Sequence, residues 1–170
     1  MKKSLFASIT VAALFSACND SSVDVGDIAT TETGDNYTFH QNSSMANETA
    51  QERSSDISDS FVIEEAWLEE KGERTLMHIK VNQALGCEKL YPGKFDVVWN
   101  GIMLMIYPPQ IGFYLKLNTE GCSELQENVE ETITLNLNEL IGTEDFSDGT
   151  KFTVINASKS STENDHEVKK

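Results

Sequence analysis

The sequence predicts an all-β protein, a single antiparallel two-sheet sandwich of about seven strands preceded by a disordered N-terminal tether. Three observations carry that expectation. Apolar residues between Ser60 and Ser158 recur with a period near two, as where Met77, Ile79 and Val81 alternate with His78, Lys80 and Asn82. The runs are of strand length and are separated by turn residues: Lys71-Gly72, Asn100-Gly101, Pro108-Pro109 and Asp148-Gly149. No stretch shows the apolar spacing of a long helix.

The first segment, residues 1–17, reads as an export signal. Lys2 and Lys3 precede an apolar run from Leu5 to Phe15, and Ser16, Ala17 and Cys18 follow. Phe15 fails the small-residue rule of an ordinary signal peptidase. The segment Leu14-Phe15-Ser16-Ala17-Cys18 resembles the lipobox of bacterial lipoproteins. The resemblance implies cleavage before Cys18, acylation of that thiol with lipid such as palmitate, and residence in the bacterial cell envelope, on the outer membrane. About 20 apolar residues are needed to span a bilayer and this run is shorter, so the lipid is the only membrane contact expected. That leaves Cys87 and Cys122 as an even pair in an exported chain, which reads as a structural disulfide. A metal or catalytic thiol pair would show closer C-x-x-C spacing.

Residues 18–59 read as the lipidated cysteine and an acidic tether. Ser, Thr, Asn, Asp and Glu dominate and large apolar residues are few, so ordering costs more than burial returns. Tyr37, Phe39 and His40 stand alone within it. A random coil of about 40 residues reaches roughly 35 Å. Residues 159–170 have the same composition and are expected to fray.

The domain proper spans residues 60–158. Phe61 to Leu68 and Thr75 to Asn82 are its first two strands, with Lys71-Gly72 between them. Lys94 to Trp99 and Ile102 to Tyr107 flank Asn100-Gly101, the strongest short hairpin signal in the chain. A two-residue turn there sets Trp99 opposite Ile102, Val97 opposite Leu104 and Phe95 opposite Ile106, which makes one apolar face. Pro108-Pro109 ends that ribbon. Strands over Ile111–Leu117, Thr132–Leu137 and Lys151–Ile155 complete the set. The spacing of Trp67, Leu76, Ile79, Asn82, Cys87, Asn100-Gly101, Cys122 and the strand from Phe152 resembles small Bacteroidetes-type envelope lipoproteins with immunoglobulin-like domains. That resemblance implies an immunoglobulin-like sandwich and an envelope address, and it brings no activity.

Charge excludes one class of partner. Loss of Lys2 and Lys3 with the signal takes the formal net charge from −15 to about −17, and such a chain is repelled by phosphate, so no nucleic acid is expected. The three histidines, His40, His78 and His166, are dispersed, and no metalloprotease, nucleophile-elbow or phosphate-loop motif occurs. Neither catalysis nor a cofactor is expected. Glu144, Asp145 and Asp148 offer some of the oxygens that calcium needs, without EF-hand spacing; an acidic solvated loop fits them better. Met77, His78, Met103 and Met105 are soft enough for copper(I) but serve equally as packing residues, so no metal is assigned.

What remains is a binding surface. Val98, Met103, Met105 and Tyr107 lie opposite the Trp99 face of the expected ribbon, and with Tyr91 and Tyr114 they form the candidate site. The function expected is binding or scaffolding in the envelope, with an envelope protein or a glycan as partner. The alternative is a small cell-surface hydrolase using dispersed carboxylates.

Overall fold

A computed structural model describes residues 30–53, 61–83, 95–117, 129–142, 149–158 and 165–170. The signal segment, Cys18, Cys87, Cys122, Tyr91 and the loop bearing Glu144, Asp145 and Asp148 lie outside them. The described chain is a two-sheet all-β sandwich. Its elements are β1 (Thr30–Thr33), β2 (Tyr37–Gln41), α1 (Ser43–Glu52), β3 (Phe61–Lys71), β4 (Arg74–Gln83), β5 (Phe95–Trp99), β6 (Gln110–Leu117), β7 (Val129–Asn136), α2 (Leu137–Ile141), β8 (Lys151–Asn156) and β9 (His166–Glu167).

The two sheets are unequal. Six strands run in the order β1-β2-β5-β6-β8-β9, and three in the order β3-β4-β7. The smaller sheet is antiparallel throughout. The larger is mixed, because β2 pairs parallel with β5 and β6 parallel with β8. This differs from the wholly antiparallel sandwich expected, and from the two antiparallel sheets of four and three strands in an immunoglobulin constant domain. Alternation reads the individual strands well but carries no information on which neighbour each will take.

The core lies between the sheets. Met77, Ile79 and Val81 of β4 and Ile133 and Leu135 of β7 meet Phe39, Phe95, Val97, Phe113, Leu115, Phe152 and Val154 from the larger sheet. Phe61 and Phe95 meet edge to face at 5.5 Å across the gap. A buried polar side chain is among the groups that tie the layers together. The buried Asn156 donates from Nδ2 to the Phe61 carbonyl (2.9 Å) and its Oδ1 accepts from the Ser158 N–H (3.0 Å) and hydroxyl (2.5 Å), so its burial leaves neither end unpaired.

Two segments expected to be disordered are built into the fold. Residues 30–53 form β1, β2 and α1, and Tyr37 and Phe39, two residues apart on one face of β2, are buried in the core. Their partner strand β5 lies more than fifty residues away in sequence, a pairing that composition cannot reveal. Asn42 caps α1 by accepting from the Met45 N–H (2.9 Å), and α1 packs on β5 and β6 with Ala46 and Thr49 buried. At the other terminus, β9 pairs with β8, and the Lys169 N–H and carbonyl bond to Ala66 and Leu68 of β3.

The outer face of the smaller sheet is a polar ladder. Lys80 reaches Glu64 (2.7 Å) and Glu130 (3.0 Å) on its two neighbour strands, and Asn82 donates to Glu64 (3.2 Å). The hydrogen bond from Lys80, then that from Asn82, holds the Glu64 carboxyl below its ordinary value, and the same carboxylates hold the Lys80 ammonium well above its own. A depressed acid pKa stabilises the fold above the unfolded value and loses that contribution as pH falls through the folded one. Denaturant midpoints measured from about pH 5 downward are therefore expected to fall, and Glu64→Gln is expected to flatten the part of that slope due to this group. The effect is small because the groups are exposed.

Candidate functional site

The described surface has one conspicuous apolar feature, the loop between β5 and β6. Asn100-Gly101 does turn the chain, with Gly101 at φ +77°, but the hairpin expected there does not form. Both sides of β5 are already taken, by β2 and by β6, so the segment 102–107 finds no edge to pair with. Asn100 is not at positive φ, which a type I′ turn would need; instead its side chain accepts from the Ile102 N–H (2.9 Å). The registers of Trp99, Val97 and Phe95 with Ile102, Leu104 and Ile106 are replaced by Trp99 with Gln41, Val97 with Phe39 and Leu115, and Phe95 with Tyr37 and Leu117.

The displaced segment closes on itself. Leu104 and Gln110 exchange backbone hydrogen bonds of 2.9 and 3.1 Å, and residues 105–109 project beyond that bridge with a cis peptide between Tyr107 and Pro108. Met105 is 83% exposed and Tyr107 97%, with Ile102, Leu104 and Ile106 about half exposed. Met103 turns inward and packs on the core. From Asp96 to Lys116 the chain carries no charged residue between those two, in a protein where 24% of residues are charged. A contiguous apolar patch of this kind on a folded body marks a contact site.

The candidate residues from the sequence thus divide. Met105 and Tyr107 are at the exposed loop. Val98 is fully buried on the side of β5 away from the core cluster, where α1 packs on β5 and β6, so it offers no surface. Tyr114, its cross-strand partner, is partly buried, Met103 is mostly internal, and Tyr91 lies outside the described residues. Ile102, Leu104 and Ile106, expected to share one apolar face with Trp99, Val97 and Phe95, are about half exposed at the surface instead. The signal for them is that Ile-Met-Leu-Met-Ile-Tyr is apolar at every position, with no polar face to alternate against, between Gly101 and two prolines.

The titratable groups are arranged differently. Met77 is in the core and His78 on the outer face of the same strand, so the two cannot share a soft metal. Among the described residues no group of three or more His, Cys, Asp and Glu is placed to hold a metal. His78 stacks on Trp67 (5.1 Å between centroids) and lies 3.0 Å from Glu69 and 2.9 Å from the Thr134 hydroxyl. That carboxylate, imidazole and hydroxyl series sits across three adjacent strands and belongs to the polar ladder. An open cleft of about 600 Å³ is lined by Thr150, Lys151, Glu167, Val168, Lys169 and Lys170, and it adjoins the foot of the apolar loop, since the Lys151 N–H donates to the Pro109 carbonyl (2.8 Å). A second, of about 240 Å³, lies by Asp35, Asn36, Tyr37, Thr132 and Thr134. Each brings one side-chain carboxylate from the described residues, Glu167 in the first and Asp35 in the second.

No protein-family model, curated protein or solved structure matches this chain.

Proposed function

We propose that this chain is a lipid-anchored binding or scaffolding protein of the bacterial envelope, held by an acylated Cys18, that works through the loop from Ile102 to Tyr107. The exposure of that loop is the observation that carries the reading. Five side chains of that loop leave half or more of their surface in water, and covering that surface would release ordered water at about 25 cal/mol per Å². The loop offers aliphatic groups, a thioether and one phenol, with Gln110 and Asn100 as its polar neighbours. Those groups suit an apolar partner surface better than a glycan, which requires many hydrogen-bonding groups.

The test has two arms in the native envelope. A photoreactive residue placed at Tyr107 is expected to give an adduct, and one at Asp35, an exposed position in the β1–β2 turn, to give none. Cys18→Ala is expected to release the chain from the membrane fraction. An unmodified Cys18 on a chain that never sediments with membranes, together with no adduct from the loop, would sink the reading.

A further inference from the structure

We infer that the loop from Ile102 to Tyr107 is a second membrane contact: it enters the boundary between head groups and acyl chains of an uncharged bilayer. The inference rests on the anchored reading above and names the loop's partner.

The strand registers place the loop at the end of the fold where the chain arrives. Thr30, the first described residue, lies opposite Gln41 on β2, and Gln41 lies beside Trp99 on β5. Gly101 sits against the Gln41 side chain, with 3.3 Å between an ideal Cβ there and Nε2, and the Asn42 N–H bonds to the Trp99 carbonyl (2.9 Å). The β1–β2 turn with Asp35 is therefore at the far end, and Thr30, Gln41, Trp99 and the loop share the near one. Eleven residues separate Cys18 from Thr30, which at full extension span no more than about 40 Å. An acyl group at Cys18 thus tethers the sandwich by the end that carries the loop, and on a far shorter leash than a tether reaching to residue 59 would supply.

The loop's composition matches that position. Ile102, Leu104, Met105 and Ile106 supply apolar surface, and Tyr107 at the tip is an amphipathic ring of the kind found at head-group level. The absence of charge between Asp96 and Lys116 removes the cost of carrying a charged group into that layer. A chain whose net charge falls from −15 to about −17 once Lys2 and Lys3 leave with the signal is repelled by anionic lipid, so the attraction is apolar and the bilayer it fits is zwitterionic. Lys151, Lys169 and Lys170 line the cleft at the foot of the loop, with Lys151 paired to Glu167 (2.8 Å) and Lys169 to Glu65 (3.1 Å).

The experiment uses the full chain, purified from membranes and reconstituted into vesicles of phosphatidylcholine and phosphatidylethanolamine with bromine on the phosphatidylcholine acyl chains. Tyr107→Trp adds a fluorophore at the tip over the Trp67 and Trp99 background, and Asp35→Trp adds one at the far end. The emission added by Tyr107→Trp is expected to shift to the blue and to lose most of its intensity, insensitive to salt, while that of Asp35→Trp stays unquenched. Adding Ile106→Asp to the Tyr107→Trp chain, at a position already exposed, is expected to abolish the quenching with the circular dichroism unchanged. Mass spectrometry of Cys18 separates the two readings. An unacylated chain whose Tyr107→Trp emission is still quenched on titration with vesicles overturns the anchor and leaves the loop contact standing. An acylated chain that floats with vesicles while that emission stays unquenched overturns the loop contact, as does an unacylated chain that shows no quenching at any lipid concentration. Adducts from Tyr107 in the native envelope that are protein or glycan, with no lipid adduct, overturn it too.

Discussion

Phe113→Ala is expected to destabilise the fold by about 3 to 5 kcal/mol, the range for truncating a buried aromatic that cannot be replaced by collapse of its surroundings. Phe113 has no exposed surface. It sits in the central strand β6, with Phe39 at 6.5 Å, Trp99 at 6.5 Å and Phe152 stacked at 6.4 Å. Those neighbours come from β2, β5 and β8, so a cavity at Phe113 removes contacts from three strands of the larger sheet at once. The backbones of all three are held by strand pairing, so only side-chain shifts are left to fill the space. Against a total stability of about 5 to 15 kcal/mol, the loss should lower the melting temperature by about 10 °C or more. Phe113→Leu keeps most of the volume and should cost only about 1 to 2 kcal/mol. Urea midpoints on the three chains measure this directly, and an alanine variant within about 1 kcal/mol of the parent would mean that the aromatic cluster is not where the fold is held.

The same cluster shows what could be read in advance and what could not. Ile111, Phe113 and Leu115, or Met77, Ile79 and Val81, announce their strands because each alternates with polar or small residues over a full strand length. Phe39 does not, although Tyr37 and Phe39 have the same spacing, because β1 is wholly exposed and the polar residues around the pair hide a strand of five. Its burial depends on β5, and nothing local encodes that pairing. The Asn100-Gly101 turn failed for the complementary reason. Its local chemistry favoured a hairpin, but β2 had claimed the edge of β5 that the hairpin required. The apolar run thus freed is the candidate site, so the ordering of residues 37–41 and the absence of the hairpin have one physical cause. The long-range parallel insertion of β2 both orders residues 37–41 and expels residues 102–107 from the sheet.

The C-terminal residues give the second large effect. Deletion of 165–170 is expected to cost about 3 kcal/mol or more, where removal of a fraying tail would be neutral to within about 0.5 kcal/mol. The segment joins both sheets. β9 adds to β8 through Thr153 with Glu167 and Val154 with His166, the Val168 N–H bonds to the Phe152 carbonyl (2.9 Å), and Lys169 exchanges bonds with Leu68 (2.8 Å) and Ala66 (3.0 Å) of the other sheet. Val168 is buried between them, and its burial alone is worth about 1.5 to 3 kcal/mol. Asp165 meets Arg53 at 2.6 Å, both more than four-fifths buried, so the segment also holds the C-terminal end of α1. Two point variants separate these contributions. Val168→Asp places a charge in the core and should approach the full deletion, since an unpaired buried charge costs several kcal/mol. Arg53→Ala leaves Asp165 without its partner while the β9 pairing persists, and should cost about 1 to 3 kcal/mol. Guanidinium midpoints ordered as deletion and Val168→Asp lowest, Arg53→Ala intermediate and parent highest are the expected result. A deletion that melts with the parent would show that the two sheets are held closed by the core alone.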